Sequence, residues 1–179
     1  MKLMQAFDIL EQYDRQGLTV WSLSGLRMVL VERPTTFRKT LERLCSENVL
    51  SRISRGLYVF AHTSRDRRVV FGEIIAGLRA GEYCFESLES AANEWGIISQ
   101  TPLGVTTVMT TGRSGTFNTP YGSVEFVHTD ASVNEILRET LQREDFIPLA
   151  TREYTLHGLK RCGRTSELRE AFALSDLEE

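Results

Sequence analysis

Residues 34–60, PTTFRKTLERLCSENVLSRISRGLYVF, constrain the fold more than any other part of the 179-residue chain. Within that stretch the apolar period changes from helical to strand-like with almost no linker between. Pro34 cannot continue a preceding helix and biases Arg33 toward extended geometry, so an element boundary falls there. Thr35 is the expected N-cap of the next helix. Phe37, Leu41, Leu44 and Cys45 recur at helical spacing and make one apolar stripe. The opposite face carries Thr36, Lys39, Thr40 and Arg43, with Arg38 and Glu42 near its edges. Val49, Leu50 and Ile53 then read as a strand, Ser54-Arg55-Gly56 as a turn, and Leu57-Tyr58-Val59-Phe60 as the returning strand.

The residues upstream complete a small module. Leu3, Phe7, Leu10 and Tyr13 space a first helix that Gly17 closes. Leu18-Thr19-Val20-Trp21 reads as a short strand, and Ser22 or Ser24 caps a second helix running to about Val31. Trp21, Leu26 and Met28 are core or near-core candidates. Helix, short strand, helix, helix, hairpin is the order of a winged helix-turn-helix, in which a helix enters the major groove of DNA and a hairpin tip reaches phosphates or the minor groove.

Charge points the same way. Residues 1–70 hold 12 Lys/Arg against 7 Asp/Glu, a net of +5, whereas residues 71–179 hold 9 against 17, a net of −8. A basic N-terminal part beside an acidic remainder implies that only the former meets a polyanion. The expected contacts are Thr35, Thr36, Arg38, Lys39 and Arg43 on the helix, Arg52 and Arg55 on the hairpin, and Arg65, Arg67 and Arg68. The last three lie in the run His62–Arg68, the expected linker between a domain at 1–64 and a second at 69–179. A solvated linker explains that run as well as a phosphate contact does.

The second domain reads as α+β. Val69, Val70, Phe71, Ile74, Ile75 and Leu78 space a helix ending near Gly81, and Ser87–Trp95 is another, stopped by Gly96. Thr101-Pro102 opens a β region with strands at Val105–Thr110, Gly115–Thr119 and Val124–His128, the last two joined by Pro120-Tyr121-Gly122-Ser123. Asp130 or Ser132 caps a helix to about Arg143, Glu135 standing where a capping box needs it, and residues 148–176 look helical.

No chemistry stands out in that half. His62, His128 and His157 are isolated, and Cys45, Cys84 and Cys162 are odd in number and scattered, so neither a disulfide framework nor a zinc site is expected. Glu86, Glu89, Asn93 and Glu94 share a helix face that reads as solvated carboxylates. Ser87, Ser90 and Ser99 lack a nucleophile elbow, and Gly112-Arg113-Ser114-Gly115 lacks the ending of a phosphate loop. A protein without catalytic residues, metal or cofactor is expected. No apolar run approaches a membrane span and the N-terminus is amphipathic rather than a signal peptide, so a cytoplasmic location with no membrane partner is expected.

Two stretches carry a family resemblance: Ile53-Ser54-Arg55-Gly56-Leu57-Tyr58, and Tyr83-Cys84-Phe85-Glu86-Ser87-Leu88-Glu89-Ser90-Ala91-Ala92-Asn93-Glu94-Trp95-Gly96-Ile97-Ile98. With Pro102, the Val105–Thr110 strand and Thr119-Pro120-Tyr121-Gly122 following in order, the chain resembles the AbiEi family, the antitoxins of type IV toxin–antitoxin systems, over roughly residues 3–165. It departs from that family at Ala150–Gly158, where Thr155 and Gly158 stand in place of a small residue and an acid. The resemblance implies a protein that binds inverted repeats in its own promoter, as two copies of a chain monomeric in solution, and represses its operon. It also implies neutralisation of a nucleotidyltransferase-like toxin, by direct contact or by opposing its effect. The residues alone leave a second reading open, a one-component winged-helix regulator that senses a small ligand.

Overall fold

The computed structural model describes residues 1–98 and 104–164. The expectations at Ser99, at Thr101-Pro102 and beyond Arg164 lie outside the described residues. The chain is mixed α+β, with seven helices and two sheets among the described residues, and divides into two compact units, Met1–Leu78 and Arg79–Glu179. The division therefore falls after Leu78, and the helix at 67–78, assigned from sequence to the second domain, clusters with the first unit.

The first unit runs α1 (Leu3–Arg15), β1 (Val20–Ser22), α2 (Leu23–Val29), α3 (Pro34–Ser46), β2 (Leu50–Ser54), β3 (Leu57–Phe60) and α4 (Arg67–Leu78). Its sheet has the order β1-β3-β2, antiparallel throughout. The helices cover it with a core built on Leu10, Trp21, Leu26, Phe37, Leu44 and Phe60. α1 and α3 end alike. After α1, Gly17 takes φ +93° while Gly17 N–H bonds Asp14 O and Leu18 N–H bonds Tyr13 O. After α3, Asn48 takes φ +54°, with its own N–H on Cys45 O and that of Val49 on Leu44 O. Both closures satisfy the last carbonyls and turn the chain sharply; the second sends it directly into β2.

Several local expectations change. Thr35 is not the cap: Arg33 is the N-cap residue and Pro34 opens the helix, where its missing N–H costs nothing. Thr40 is buried at 3% exposure beside Phe37 and Leu44, so it belongs to the core face rather than the wet one. Met28 is 79% exposed and is no part of the core. Ser22 caps α2, its Oγ accepting from Gly25 N–H at 3.0 Å.

The second unit is built on β4 (Cys84–Glu86), α5 (Leu88–Glu94), β5 (Val105–Thr110), β6 (Gly115–Thr119), β7 (Gly122–His128), α6 (Val133–Arg138), β8 (Thr140–Leu141), β9 (Leu149–Ala150) and α7 (Arg152–Arg161). Its six-stranded mixed sheet has the order β6-β7-β5-β4-β9-β8. α5 and α7 pack together over a core of Phe85, Leu88, Met109, Ala150 and Leu159. Ser132 caps α6 through Glu135 N–H, but the helix stops at Arg138 instead of continuing to Arg143. Thr140 is drawn into the sheet opposite Ala150, which ends the helix. No helix among the described residues is long and apolar enough to cross a membrane.

Candidate nucleic-acid interface

α3 positions its side chains by the burial of Phe37, Thr40 and Leu44. With that stripe inward, Thr35, Thr36, Arg38, Lys39, Glu42 and Arg43 are exposed. They are not equivalent. Arg38 Nε donates to Glu42 Oε1 at 3.2 Å, an exposed i, i+4 pair of small energetic weight. Arg43 lies on the other flank, and its Nη2 donates to Met1 O at 2.6 Å. Lys39 points outward and has no hydrogen-bond or ion-pair partner among the described residues.

The hairpin beside α3 is shaped by two irregularities. Arg52 pairs with Tyr58 and Ser54 with Leu57, so Ile53 is an extra residue that bulges from the ladder. Arg55-Gly56 then makes the two-residue turn, with Gly56 at φ +87°, a conformation that glycine adopts without steric cost. Arg55 is exposed at the tip with no partner among the described residues. Leu23 N–H bonds Gly56 O at 2.9 Å, which ties the tip to the start of α2. Arg52, on β2, makes only a 3.3 Å bond from Nε to Ser54 O.

The arginines of the linker behave differently from those of the hairpin. Arg65 is turned inward. Its guanidinium meets the Glu73 carboxylate in a fork (Nη2–Oε1 2.5 Å, Nη1–Oε2 3.0 Å) and also donates to Gly17 O at 2.6 Å and Thr19 Oγ1 at 2.9 Å. Thr19, fully buried, in turn donates a hydrogen bond from its hydroxyl to Asp14 Oδ1 at 2.5 Å. Arg65 thus braces the end of α1, the approach to β1 and α4 against one another, and its donors are spent inside the unit. Arg67 and Arg68 are exposed in the first turn of α4, where Arg68 N–H bonds Asp66 Oδ1 at 2.7 Å.

Sequence reasoning passed over two residues here. Arg27 of α2 lies over the ring of Phe37, 5.5 Å from its centroid. Tyr58 lines a groove of about 330 Å³ between α3 and the hairpin, together with Arg38, Leu41, Glu42, Cys45 and Arg52. Its place in a run of four buried strand residues hid it among core candidates.

In the second unit the carboxylates expected as a solvated face are engaged. Glu86 is 4% exposed and accepts from Arg143 Nη2 at 2.6 Å, while Arg143 also donates twice to Ile147 O. Glu89 and Glu125 hold Arg164, Glu125 at 2.6 Å, and the Arg164 hydrogen bond keeps the Glu125 carboxyl below the ordinary carboxylate range. Glu82 accepts from Thr111 Oγ1 at 2.6 Å. Ser90 Oγ is taken by Thr107 N–H at 2.7 Å. Among the described residues no three potential metal ligands come together. A cleft of about 460 Å³ opens beside α7, lined by Met109, Glu135, Tyr154, His157, Gly158, Lys160 and Arg161.

No protein-family model matches the chain, and no curated protein matches it either.

Proposed function

We propose that the first unit is a winged helix-turn-helix that binds duplex DNA, with α3 as the recognition helix and the β2–β3 hairpin as the wing. One observation carries this reading: the exposed face of α3, with Arg38 and Lys39, stands next to a hairpin that presents Arg52 and Arg55, on the basic part of the chain. Lys39, Thr35 and Thr36 face the bases or their flanking phosphates, and Arg55 takes the backbone or minor groove. Arg65 leaves the expected footprint because both its terminal nitrogens already serve Glu73, Gly17 and Thr19, and Arg43 is set aside because its Nη2 is turned to Met1 O at 2.6 Å. Of the six cations that remain, Arg38, Lys39, Arg52 and Arg55 stand on α3 and the hairpin and give about four phosphate contacts and a slope of log K against log salt near −3.6, while Arg67 and Arg68 stand on α4.

The sequence resemblance extends the proposal to an autorepressor that binds inverted repeats in its own promoter and an antitoxin whose second unit restrains a nucleotidyltransferase-like toxin. The second reading, a ligand-responsive regulator, is favoured by one observation, the α7 cleft with Tyr154, His157, Lys160 and Arg161 on its walls.

Fluorescence anisotropy on the DNA upstream of the chain's own reading frame tests the first claim. Arg55→Ala is expected to weaken binding to every sequence and lower the salt slope by about 1, whereas Lys39→Ala also blurs sequence preference. An affinity indifferent to salt refutes the DNA reading. Co-expression with an adjacent nucleotidyltransferase-like frame separates the other two: rescue of growth supports the antitoxin, and no rescue refutes it.

A further inference from the structure

The register of the first sheet puts Trp21, Tyr58 and Arg52 in one row across β1, β3 and β2, since Trp21 pairs with Tyr58 and Tyr58 with Arg52. Directly paired residues share a face, and Trp21 and Tyr58 both belong to the core beneath the helices. Arg52 therefore starts from the same face at the open edge, beside the flank of α3 that carries Arg38, Leu41, Glu42 and Cys45. The groove of about 330 Å³ lies between them.

Tyr58 is 5% exposed, yet its hydroxyl has no hydrogen-bond partner among the described residues. It is also not sealed off, as the indole N–H of Trp21 is, because Tyr58 lines the groove. A phenol held at the floor of a groove without a protein partner is set to donate to something that enters. The walls define that guest. Two arginines, Arg38 and Arg52, line the groove with Tyr58, and Glu42, the one carboxylate on the lining, already faces Arg38 at 3.2 Å. A compact oxyanion meets both cations and the hydroxyl; a cation or an apolar group meets neither need.

We propose that this groove seats a single phosphodiester of the DNA backbone, with Tyr58 Oη donating to one phosphate oxygen and Arg38 and Arg52 closing on the others. The inference rests on the DNA-binding reading and adds to it a fixed registration point between the recognition helix and the wing. Tyr58 supplies geometry without charge, so it acts alike on all sequences and leaves the salt dependence to the arginines.

The test compares the full chain with Tyr58→Phe and Arg52→Gln by anisotropy on its promoter duplex and on an unrelated duplex. Tyr58→Phe keeps the ring in the core and is expected to melt within about 2 °C of the parent. It is expected to weaken both duplexes by about tenfold at fixed salt, as loss of a hydrogen bond to a charged group does, with an unchanged salt slope. Arg52→Gln is expected to lower the slope by about 1. If the parent binds and Tyr58→Phe stays within about twofold of it, the phosphate seat is overturned and the DNA reading stands. If the parent binds neither duplex at low salt, both are overturned.

Discussion

Replacing Arg65 separates a structural arginine from a DNA-reading one. Its guanidinium makes four contacts within the first unit: two to Glu73, one to Gly17 O and one to Thr19 Oγ1. The side chain is 21% exposed and that of Glu73 34%, so the ion pair is screened and contributes at most about 1 kcal/mol. The two bonds to neutral acceptors lie deeper, with Thr19 fully buried, and each charge-assisted bond is expected to contribute about 1 kcal/mol net. Arg65→Met, which keeps the aliphatic stem, is therefore expected to destabilise the first unit by about 2–3 kcal/mol. The chain holds one tryptophan in each unit, Trp21 and Trp95, so the indole N–H resonance of Trp21 followed through a urea titration reports on the first unit alone. With a urea slope of about 1–1.5 kcal/mol/M, the midpoint is expected to fall by about 2 M. Arg65→Lys retains the charge but not the fork, and is expected to recover little of that loss. At a urea concentration where all variants are folded, the salt slope of DNA binding is expected to stay at the parent value. A midpoint within about 0.4 M of the parent, with a salt slope smaller by about 1, refutes the brace and makes Arg65 a phosphate contact.

Two further predictions concern the second unit. Glu125, held below its ordinary titration range chiefly by the Arg164 hydrogen bond, contributes stability present above the unfolded value of 4.5 and lost as pH falls through the lowered folded value. The Trp95 resonance in a urea titration is thus expected to show a midpoint that drops below pH 4.5, with Glu125→Gln lower by about 1 kcal/mol at pH 7 and converging on the parent in acid; parallel curves at all pH values refute the pairing. His128 is expected to titrate above 6.5 in a proton NMR experiment, because Gly112 O accepts from its Nδ1–H at 2.8 Å and Asp130 lies 2.9 Å from Nε2. Asp130→Asn is expected to lower that midpoint only in part, since the Gly112 carbonyl remains, and a full return to 6.5 refutes the larger role of the carbonyl.

Much of the first unit was legible because its signals are local. The stripe Phe37, Leu41, Leu44 fixes the inward face of α3, and Arg55-Gly56 fixes the hairpin turn, with no knowledge of any distant residue. What escaped depends on partners far along the chain. β4, β8 and β9 are three, two and two residues long, too short for a period to show, and exist because β4 bridges β5 on one side and β9 on the other. The solvated-carboxylate reading of Glu86 failed for the same reason: Arg143, its partner, is 57 residues away. Thr40 was misplaced because a threonine at the rim of an apolar stripe carries no sign of which side it joins.

The arginines show where a charge count stops being informative and a contact takes over. Residues 1–70 hold ten arginines and two lysines, and from composition all are equivalent. In the folded unit a guanidinium that already donates to a carbonyl and a carboxylate, as Arg65 does, must break those bonds before it can meet a phosphate. One that meets only solvent, as Arg55 does, has no such cost and is expected to release counterions if it meets a phosphate. The two kinds are thus distinguished by which measurement they move. On the proposed reading Arg55 is expected to move the salt slope and Arg65 the unfolding midpoint, and neither both. On the same reading Tyr58 differs from each, because a neutral donor lining the groove is expected to alter affinity while leaving the salt slope and the midpoint in place. That third signature, affinity without charge or stability, distinguishes a positioned phosphate seat from a merely basic surface.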